Sequence, residues 1–372
     1  MNHGWEKKRL GDVCDIYQPK TISTKDLVEG GEYDVFGANG IIGKYTSYNH
    51  EDPEVLLTCR GATCGTINLS NPKSWINGNA MVVHPTSERL SKSYLRIVLQ
   101  AVDYTGVITG AAQPQITRIS LSPVVIPLPS LERQNRIVSE LDKLNELIKI
   151  KRNQLKDLDT LAKSLFYETF GEPFINSKGL LIKRFGDLAS SINYGTSLPA
   201  TDGGKYPYIR MNNLTDNGYL DLSNLKYIDI PDSELDKCLV KKGDILFNRT
   251  NSREKVGKTA LFDRNEEMVI AGYIIRVRAK SKILNPVFAV RYMNLPEMKE
   301  HLRKICRGAV NQANINSKEM ASIPFLVPPI ELQNQYALKI EAIEEQKRLI
   351  ESSIADLETL LASRMDYWFN EI

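Results

Sequence analysis

The feature that most constrains this chain of 372 residues is an internal repeat. The segment PLPSLERQN at 127–135 returns as VPPIELQN at 327–334, so that Pro129 and Pro328 lie 199 positions apart. Nearer the start, KRLGDV at 8–13 returns as KRFGDL at 183–188, at an offset of 175. A repeat this long indicates a duplicated folding unit, and the two offsets predict about 24 extra residues in the second unit.

Three weaker matches occur between these anchors, in the same order in both halves. They pair 54–66 with 244–259, 76–83 with 270–277, and 110–116 with 309–315. The first pair joins a strand-like apolar run to a polar loop that contains glycine. The second places Gly78 beside Gly272, and the third places Gln113 on Gln312. Each unit is therefore predicted to be a strand-rich globular part followed by one long helix.

Each predicted helix carries one narrow apolar stripe with steps of four and three residues, the spacing of a coiled-coil seam. The first stripe contains Ile137, Leu141, Leu144, Ile148, Leu155, Leu158, Ala162 and Leu165. The second contains Tyr336, Ile340, Ile343, Ile350, Ile354, Leu357 and Leu361. A single stripe needs a partner, so the two helices are predicted to pack on each other.

Helices of about 40 residues are rods of roughly 60 Å. Antiparallel packing would put the two globular parts at opposite ends of the rods, and parallel packing would put them side by side. The residues leave both arrangements open. Lys151 and Lys347 interrupt the two stripes, which suggests the hypothesis that an axis near the middle of the helices brings these lysines together.

The sequence also predicts where each long helix begins. Ser130 is predicted to cap the first helix, with Glu132 in the first turn near the positive end of the helix dipole. In the second helix Pro329 replaces the serine, at a position where no backbone donor is needed.

The composition describes a globular protein, since 42% of the residues are hydrophobic and 25% are charged. A net charge of +3 still permits a local basic face for nucleic acid. The five cysteines form no CxxC pair, so we expect reduced thiols and no zinc site. Neither a signal peptide nor a long apolar run is found, so a cytoplasmic protein without membrane contact is expected.

The search for catalytic motifs favours a protein without catalytic residues or a metal. VGKTALF follows a strand-like run as a phosphate loop would, but Ser252 occupies the position where that loop needs glycine. FGANG at 36–40 and NPVF at 285–288 only faintly resemble methyltransferase elements, and we interpret both as turns. The four histidines have no partners at the spacing of a catalytic triad.

Polar and basic loops remain as the candidate site. Arginine recognises guanine and asparagine or glutamine recognise adenine, while lysine and arginine neutralise phosphates. A solvated loop is the simpler interpretation for any one residue, but the pattern over both units favours DNA binding. The predicted DNA-binding residues are Arg60, Thr63, Gln113, Gln115, Arg210, Asn212, Asn213, Asn248, Arg249, Asn251, Arg253, Lys255, Lys258, Asn311, Gln312 and Asn314.

Taken together, these residues resemble the specificity subunits of type I restriction-modification systems. The likeness covers essentially the whole chain and includes the Pro-x-x-Glu/Gln strip before each helix and the stretch GDILFNRT…VGKTALF. The family strip often reads Leu-Pro-Pro-Leu-x-Glu-Gln; Arg133 and Leu332 replace its last glutamate here, whereas Gln134 and Gln333 are kept.

The resemblance implies an α+β fold with a pseudo-two-fold internal repeat and an antiparallel coiled coil. It divides the chain into target recognition domain 1 (1–128), long helix 1 or central conserved region (129–172), target recognition domain 2 (173–327) and long helix 2 or distal conserved region (328–372). Each domain would read half of a split, asymmetric site in double-stranded DNA, with the helices setting the spacer.

The resemblance also implies two methyltransferase subunits and restriction subunits as partners. S-adenosylmethionine, ATP and magnesium are expected in those partners, with no cofactor in this chain. Two alternatives stay open: the recognition subunit of a type IIB restriction-modification enzyme, and a coiled-coil scaffold that binds protein rather than DNA. A stand-alone NTPase is a third, weaker alternative.

Overall fold

The computed structural model describes residues 4–110, 113–309 and 312–369. The chain divides into two units, which are described one at a time: unit 1 contains Met1–Asn153 and Ile350–Ile372, and unit 2 contains Gln154–Leu349. Each long helix belongs partly to one unit and partly to the other.

Unit 1 builds its globular part before the first long helix. Its elements are β1 (Glu6–Arg9), α1 (Leu10–Val13), β2 (Cys14–Tyr17), β3 (Tyr33–Gly37), β4 (Gly40–Tyr45), β5 (Val55–Thr58), β6 (Ile67–Leu69), β7 (Trp75–Ile76), β8 (Ala80–Pro85), α2 (Lys92–Ala101), α3 (Arg118–Leu121), β9 (Val125–Leu128) and α4 (Leu131–Phe170). A short 3-10 helix covers Thr24–Asp26.

The main sheet of unit 1 has the strand order β2-β8-β5-β6, and all its neighbouring strands are antiparallel. Its two inner strands are mainly apolar; β5 is buried throughout and β8 is buried over its first four residues, which explains their central place. A second sheet has the order β4-β3-β7, and β1 pairs with β9 in a separate ribbon.

Unit 2 repeats this plan with additions. Its elements are β10 (Leu181–Arg184), β11 (Ala189–Tyr194), β12 (Tyr206–Ile209), β13 (Lys226–Ile228), α5 (Asp232–Cys238), β14 (Leu239–Val240), β15 (Ile245–Asn248), β16 (Thr250–Asn251), β17 (Thr259–Leu261), β18 (Met268–Ile270), β19 (Ile274–Ala279), α6 (Pro286–Met293), α7 (Pro296–Ile305), β20 (Arg307–Ala309), β21 (Gln312–Asn314), α8 (Ser317–Ala321), β22 (Pro324–Val327) and α9 (Ile330–Phe369). Two 3-10 helices cover Phe185–Leu188 and Met211–Asn213.

The main sheet of unit 2 has the order β11-β19-β15-β17, the counterpart of β2-β8-β5-β6 in unit 1. The ribbon β10-β22 likewise corresponds to β1-β9. Helices α5 and α7 lie in the part of unit 2 where the sequence predicts extra length. The remaining sheets of unit 2 have the orders β13-β12-β18-β14 and β16-β21-β20.

Both long helices contain 40 residues, as predicted. The Ser130 hydroxyl accepts a hydrogen bond from the Arg133 backbone N–H at 3.4 Å, which confirms the predicted cap. At the second start the Pro329 carbonyl accepts from Leu332 N at 3.0 Å and from Gln333 N at 3.1 Å.

Within each unit the helix segments of α4 and α9 run antiparallel. In unit 1, Glu140 pairs with Arg364 and, further along α4, Arg152 pairs with Glu358. In unit 2, Asp159 pairs with Lys347, and further along α4 the Phe170 ring lies 5.1 Å from the ring of Tyr336. Advancing along α4 therefore means moving back along α9.

The hypothesis about the two lysines is wrong. Lys347 is buried, and its Nζ lies 2.7 Å from Asp159 Oδ1 and 3.5 Å from Glu344 Oε2. Asp159 is two helical turns beyond Lys151, so the register is shifted by about that much. A lysine leaving water needs carboxylates rather than a second cation, and these two acids meet that need.

The seam residues also serve the globular cores. Ile137 and Leu141 belong to the core of unit 1, while Tyr336, Ile340 and Ile343 belong to that of unit 2. The middle of the stripes is less covered: five predicted seam residues are only partly buried and lie outside both cores, namely Leu144, Leu155, Ile350, Ile354 and Leu357.

Aromatic residues at the helix ends, which the seam analysis did not include, complete both cores. Phe166 and Phe170 at the end of α4 are buried in unit 2. Trp368 and Phe369 at the end of α9 are buried in unit 1. Each helix thus begins on the core of one unit and ends inside the core of the other.

The glutamine of the repeated strip at the start of each long helix is buried and forms the same set of hydrogen bonds in both units. Gln134 is fully buried; its Oε1 accepts from Ser91 N at 2.9 Å, and its Nε2 donates to the Arg89 and Pro129 carbonyls. Gln333 repeats the pattern with Asn285 N at 2.9 Å and the carbonyls of Ile283 and Pro328. Because Ser91 and Asn285 are the N-caps of α2 and α6, each glutamine ties the start of a long helix to the start of a core helix.

Candidate nucleic-acid interface

In unit 1 three loops converge beyond the end of β5. Arg60 forms a backbone bridge with Gln115, and Gly61 N donates to the Pro114 carbonyl at 3.0 Å. The Thr63 hydroxyl donates to Asn39 Oδ1 at 2.7 Å, which brings in the β3–β4 hairpin. The side chains of Arg60, Thr63, Gln113 and Gln115 are all exposed. The structure therefore brings these four predicted residues together on one polar surface.

In unit 2 the corresponding surface follows β15. Asn251 in β16 pairs with Ala313 in β21, so the loop before α8 again lies beside the loop after the central strand. Arg249 Nη2 donates to Asn314 Oδ1 at 3.1 Å, and its guanidinium lies 4.9 Å from the centre of the Tyr194 ring. The structure thus joins Arg249, Asn251 and Asn314.

The same backbone hydrogen bond supports this surface in both units. Ile116 N donates to the Cys59 carbonyl at 3.0 Å, and Ile315 N donates to the Arg249 carbonyl at 2.9 Å. Both isoleucines are buried, so each holds its loop against the sheet. The two units therefore present different polar side chains on one shared backbone frame.

Helix α7 supports the second loop and has no counterpart among the described elements of unit 1. Lys299 Nζ donates to the Gly257 carbonyl at 2.6 Å, and Arg253 Nη2 donates to the Arg303 carbonyl at 3.2 Å. A Cβ on Gly257 would lie 2.5 Å from Leu302 Cδ1, and φ there is +84°, so glycine is required. Burial lowers the pKa of Lys299 to about 7.

Some predicted residues lie where they cannot reach a ligand. Asn248 is completely buried, and the buried Asn213 accepts from Arg210 N at 2.9 Å and donates to the Asp221 carbonyl at 2.8 Å. These two asparagines support the loops, and we exclude them from the proposed interface. Lys258 is 14% exposed and pairs with Asp216 at 3.1 Å, so its charge is partly neutralised.

The remaining predicted residues have mixed surroundings. Asn212, Arg253 and Lys255 are exposed, whereas Arg210 is half-buried. Asn311 and the side chain of Gln312 lie outside the described residues.

Sequence reasoning missed several neighbours of these loops. Asn39 contacts Thr63; it lies in the FGANG segment, whose turn was predicted although its contact with Thr63 was not. Tyr273 is 53% exposed, and its carbonyl accepts from Arg249 N at 2.9 Å. Lys299 could not have been found from the sequence, because its contact with Gly257 spans 42 positions.

The motifs that were set aside have ordinary structural roles. Gly257-Lys258-Thr259 leads into the strand β17. A phosphate loop would lead into the N-terminus of a helix. FGANG forms the β3–β4 turn, and Asn285 caps α6 by accepting from Val287 N at 2.8 Å. Across the described residues, no group of three or more His, Cys, Asp or Glu side chains could hold a metal ion. The helices of the described ranges include none long and apolar enough to cross a membrane.

A family model described as type I restriction modification DNA specificity domain matches residues 2–160 and 180–359. The chain belongs to this family. The match confirms the resemblance predicted from the sequence, and its two segments repeat the duplication.

Relatives within this family have low identity, and two of the three named here match over most of this chain. The type I restriction enzyme EcoKI specificity subunit of Escherichia coli strain K12 is 22% identical over 356 residues, covering 91% of this chain and 72% of that protein. A putative specificity subunit of Haemophilus influenzae is 21% identical over 358 residues, covering 91% and 87%. The putative MjaX specificity subunit of Methanocaldococcus jannaschii is 28% identical over 159 residues, and the match spans 42% of this chain and 37% of that relative.

Solved structures share the fold. The crystal structure of a type I restriction-modification S subunit from M. genitalium superposes with a TM-score of 0.64 at 14% identity, covering 99% of this chain and 96% of that one. A chain from a study of complex assembly in a type I system has a TM-score of 0.60 at 19% identity, covering 98% and 97%. These likenesses confirm the predicted α+β fold class.

Proposed function

We propose that this chain is the DNA sequence-specificity subunit of a type I restriction-modification complex. In this proposal each unit reads one half of a bipartite, asymmetric site in double-stranded DNA. The paired helices set the spacer and dock two methyltransferase subunits, and restriction subunits join the larger complex.

One observation carries the proposal: the two main sheets have the same strand order, while the loops after their central strands differ in side chains. Arg60 with Gln115 faces solvent in unit 1, and Arg253 with Lys255 does so in unit 2. Two sheets of the same topology that present different side chains on their loops suit the recognition of two different short DNA sequences. A protein that binds one repeated ligand would keep the same groups in both places.

The described side chains offer hydrogen-bond donors, acceptors and cations at this surface, which is the chemistry of base and phosphate contact. We assign methyl transfer with S-adenosylmethionine, and ATP hydrolysis with magnesium, to the partner subunits. The role of this chain is to bind, orient and space.

Mapping of methylated adenines in cells that carry this chain with its methyltransferase subunit tests the proposal. The expected result is one gapped motif with two unlike halves. Methylation at a continuous motif, or none above a control strain without this chain, would refute it.

A second experiment tests the role of the helices. Inserting four residues after Asn153 in α4 and four after Leu349 in α9 should add about 6 Å, nearly two base pairs of spacer. The half-site words should stay the same. If the half-site sequences change while the spacer length stays constant, the helices do not set the spacer.

Titration of duplex binding with salt separates this proposal from the scaffold alternative. A protein that neutralises several phosphates loses affinity steeply as salt rises. The logarithm of its binding constant falls by about one unit per phosphate contact for each tenfold increase in salt concentration. A scaffold would show no such loss.

A further inference from the structure

The repeated motif Lys-Arg-x-Gly-Asp lines a groove in each unit. In unit 1 the charged lining residues are Arg9, Asp12 and Arg118, beside the Ser122-Pro123 segment. In unit 2 they are Lys183, Arg184 and Asp187, beside Ser322 and Pro324. Each groove therefore combines two cations with one carboxylate.

Packing explains the apolar and glycine positions of this motif. Leu10 and Phe185 are fully buried. A Cβ on Gly11 would lie 3.0 Å from Ser122 Cβ, and one on Gly186 would lie 2.8 Å from Ala321 Cβ. Ser122, which follows α3, would be in tight contact with a side chain at position 11, and Ala321 at the end of α8 would clash with one at position 186.

Packing does not explain the charged positions. Arg9, Asp12, Arg184 and Asp187 are all exposed. Within the described parts of the chain, none of these four side chains forms an ion pair or a hydrogen bond. Such residues add little to stability. Both units nevertheless keep an Arg and an Asp in the same places, which indicates a binding role.

Strand register separates these grooves from the candidate DNA surface. In unit 1, Cys14 at the groove pairs with Pro85, whereas Thr58 before the polar loop pairs with Ala80. The two sites thus lie at opposite ends of β8, about 17 Å apart along the strand. In unit 2, Ala189 and Asn248 likewise pair with opposite ends of β19.

We propose that the two grooves bind the same protein partner, one copy in each unit. The inference rests on the proposed function, in which that partner is the methyltransferase subunit, and adds the groove as a contact that each copy needs besides the paired helices. A carboxylate inside each groove opposes DNA phosphates, whereas a protein surface can offer two acids and one base. Both grooves hold an Arg and an Asp at equivalent places and a second cation, Arg118 in one and Lys183 in the other, while the DNA-facing loops differ. One kind of partner therefore fits both grooves.

The test reverses the charges of one groove at a time in the full chain, co-expressed with its methyltransferase subunit. The variants are Arg9→Glu with Asp12→Lys, and Arg184→Glu with Asp187→Lys. Native mass spectrometry should find two methyltransferase copies on the wild-type chain, one on each variant and none on the combined variant. Lys242→Glu with Asp263→Lys, the same kind of change at exposed positions outside both grooves, should keep two copies.

The outcomes separate this inference from the proposed function. Groove variants that keep two copies overturn the inference and leave the proposed function standing. A wild-type chain that carries no methyltransferase copy overturns both. Thermal unfolding and duplex binding should be unchanged in each groove variant. The milder pair Arg9→Gln and Arg184→Gln should weaken docking about tenfold, and undiminished docking of that pair also counts against the grooves.

Discussion

Gln333→Leu tests whether the repeated glutamine holds a long helix to its globular core. Leucine nearly fills the same volume but removes three hydrogen bonds, to Asn285 N at 2.9 Å, Ile283 O at 3.1 Å and Pro328 O at 2.7 Å. Gln333 is fully buried, so water cannot replace these bonds.

Each buried polar group left without a partner costs about 1–3 kcal/mol. Three such groups, partly relieved by local relaxation, predict a loss of roughly 4 kcal/mol for unit 2. For a unit of this size, a loss of 1 kcal/mol lowers the melting temperature by about 2–4 °C, so the expected shift is about 8–16 °C.

Differential scanning calorimetry should show the unit 2 transition moving down while the unit 1 transition stays close to its original temperature. Hydrogen exchange should rise at the first turn of α6, where Asn285 loses its acceptor. Gln335→Leu is a matched control, because Gln335 is exposed on the same helix and its replacement should cost less than about 0.5 kcal/mol. The reasoning fails if Gln333→Leu melts like the control.

Three further changes probe other parts of the structure. Phe369→Ala should destabilise unit 1 by about 3–5 kcal/mol in urea unfolding, whereas the exposed Leu360→Ala should be nearly neutral; equal effects would contradict core packing by the end of α9. Because the folded chain releases the Lys299 proton near pH 7 and the unfolded chain only near pH 10, the stability of unit 2 should rise above pH 7 by up to about 1.4 kcal/mol per pH unit. Lys299→Met should abolish this rise, and a variant that keeps it would exclude Lys299 as its source. Lys255→Ala should lower affinity for duplexes carrying the second half-site and reduce the salt slope by about 1, without effect on the first half-site; an unchanged slope would remove Lys255 from the interface.

Much of the candidate site could be predicted because its residues cluster in sequence. Arg60 and Thr63 are close neighbours, and the internal match brought the loop containing Gln115 into the same picture. The buried Asn248 shows the limit of that approach. Its neighbour Arg249 has the same polar character in sequence, and only the pairing of β15 inside the sheet decides which one faces the core.

The chain's own sequence determined the duplication, the two 40-residue helices, the cap at Ser130 and the place of Gln134 and Gln333. These features depend on local periodicity, on capping chemistry and on a repeat that can be read along one dimension. Tertiary structure alone decided that Lys347 pairs with Asp159 and that α7 packs against Gly257. It also decided that the aromatic residues at the helix ends are buried in the cores. Such contacts join positions far apart in the chain, where burial and charge compensation, rather than local pattern, select the partner.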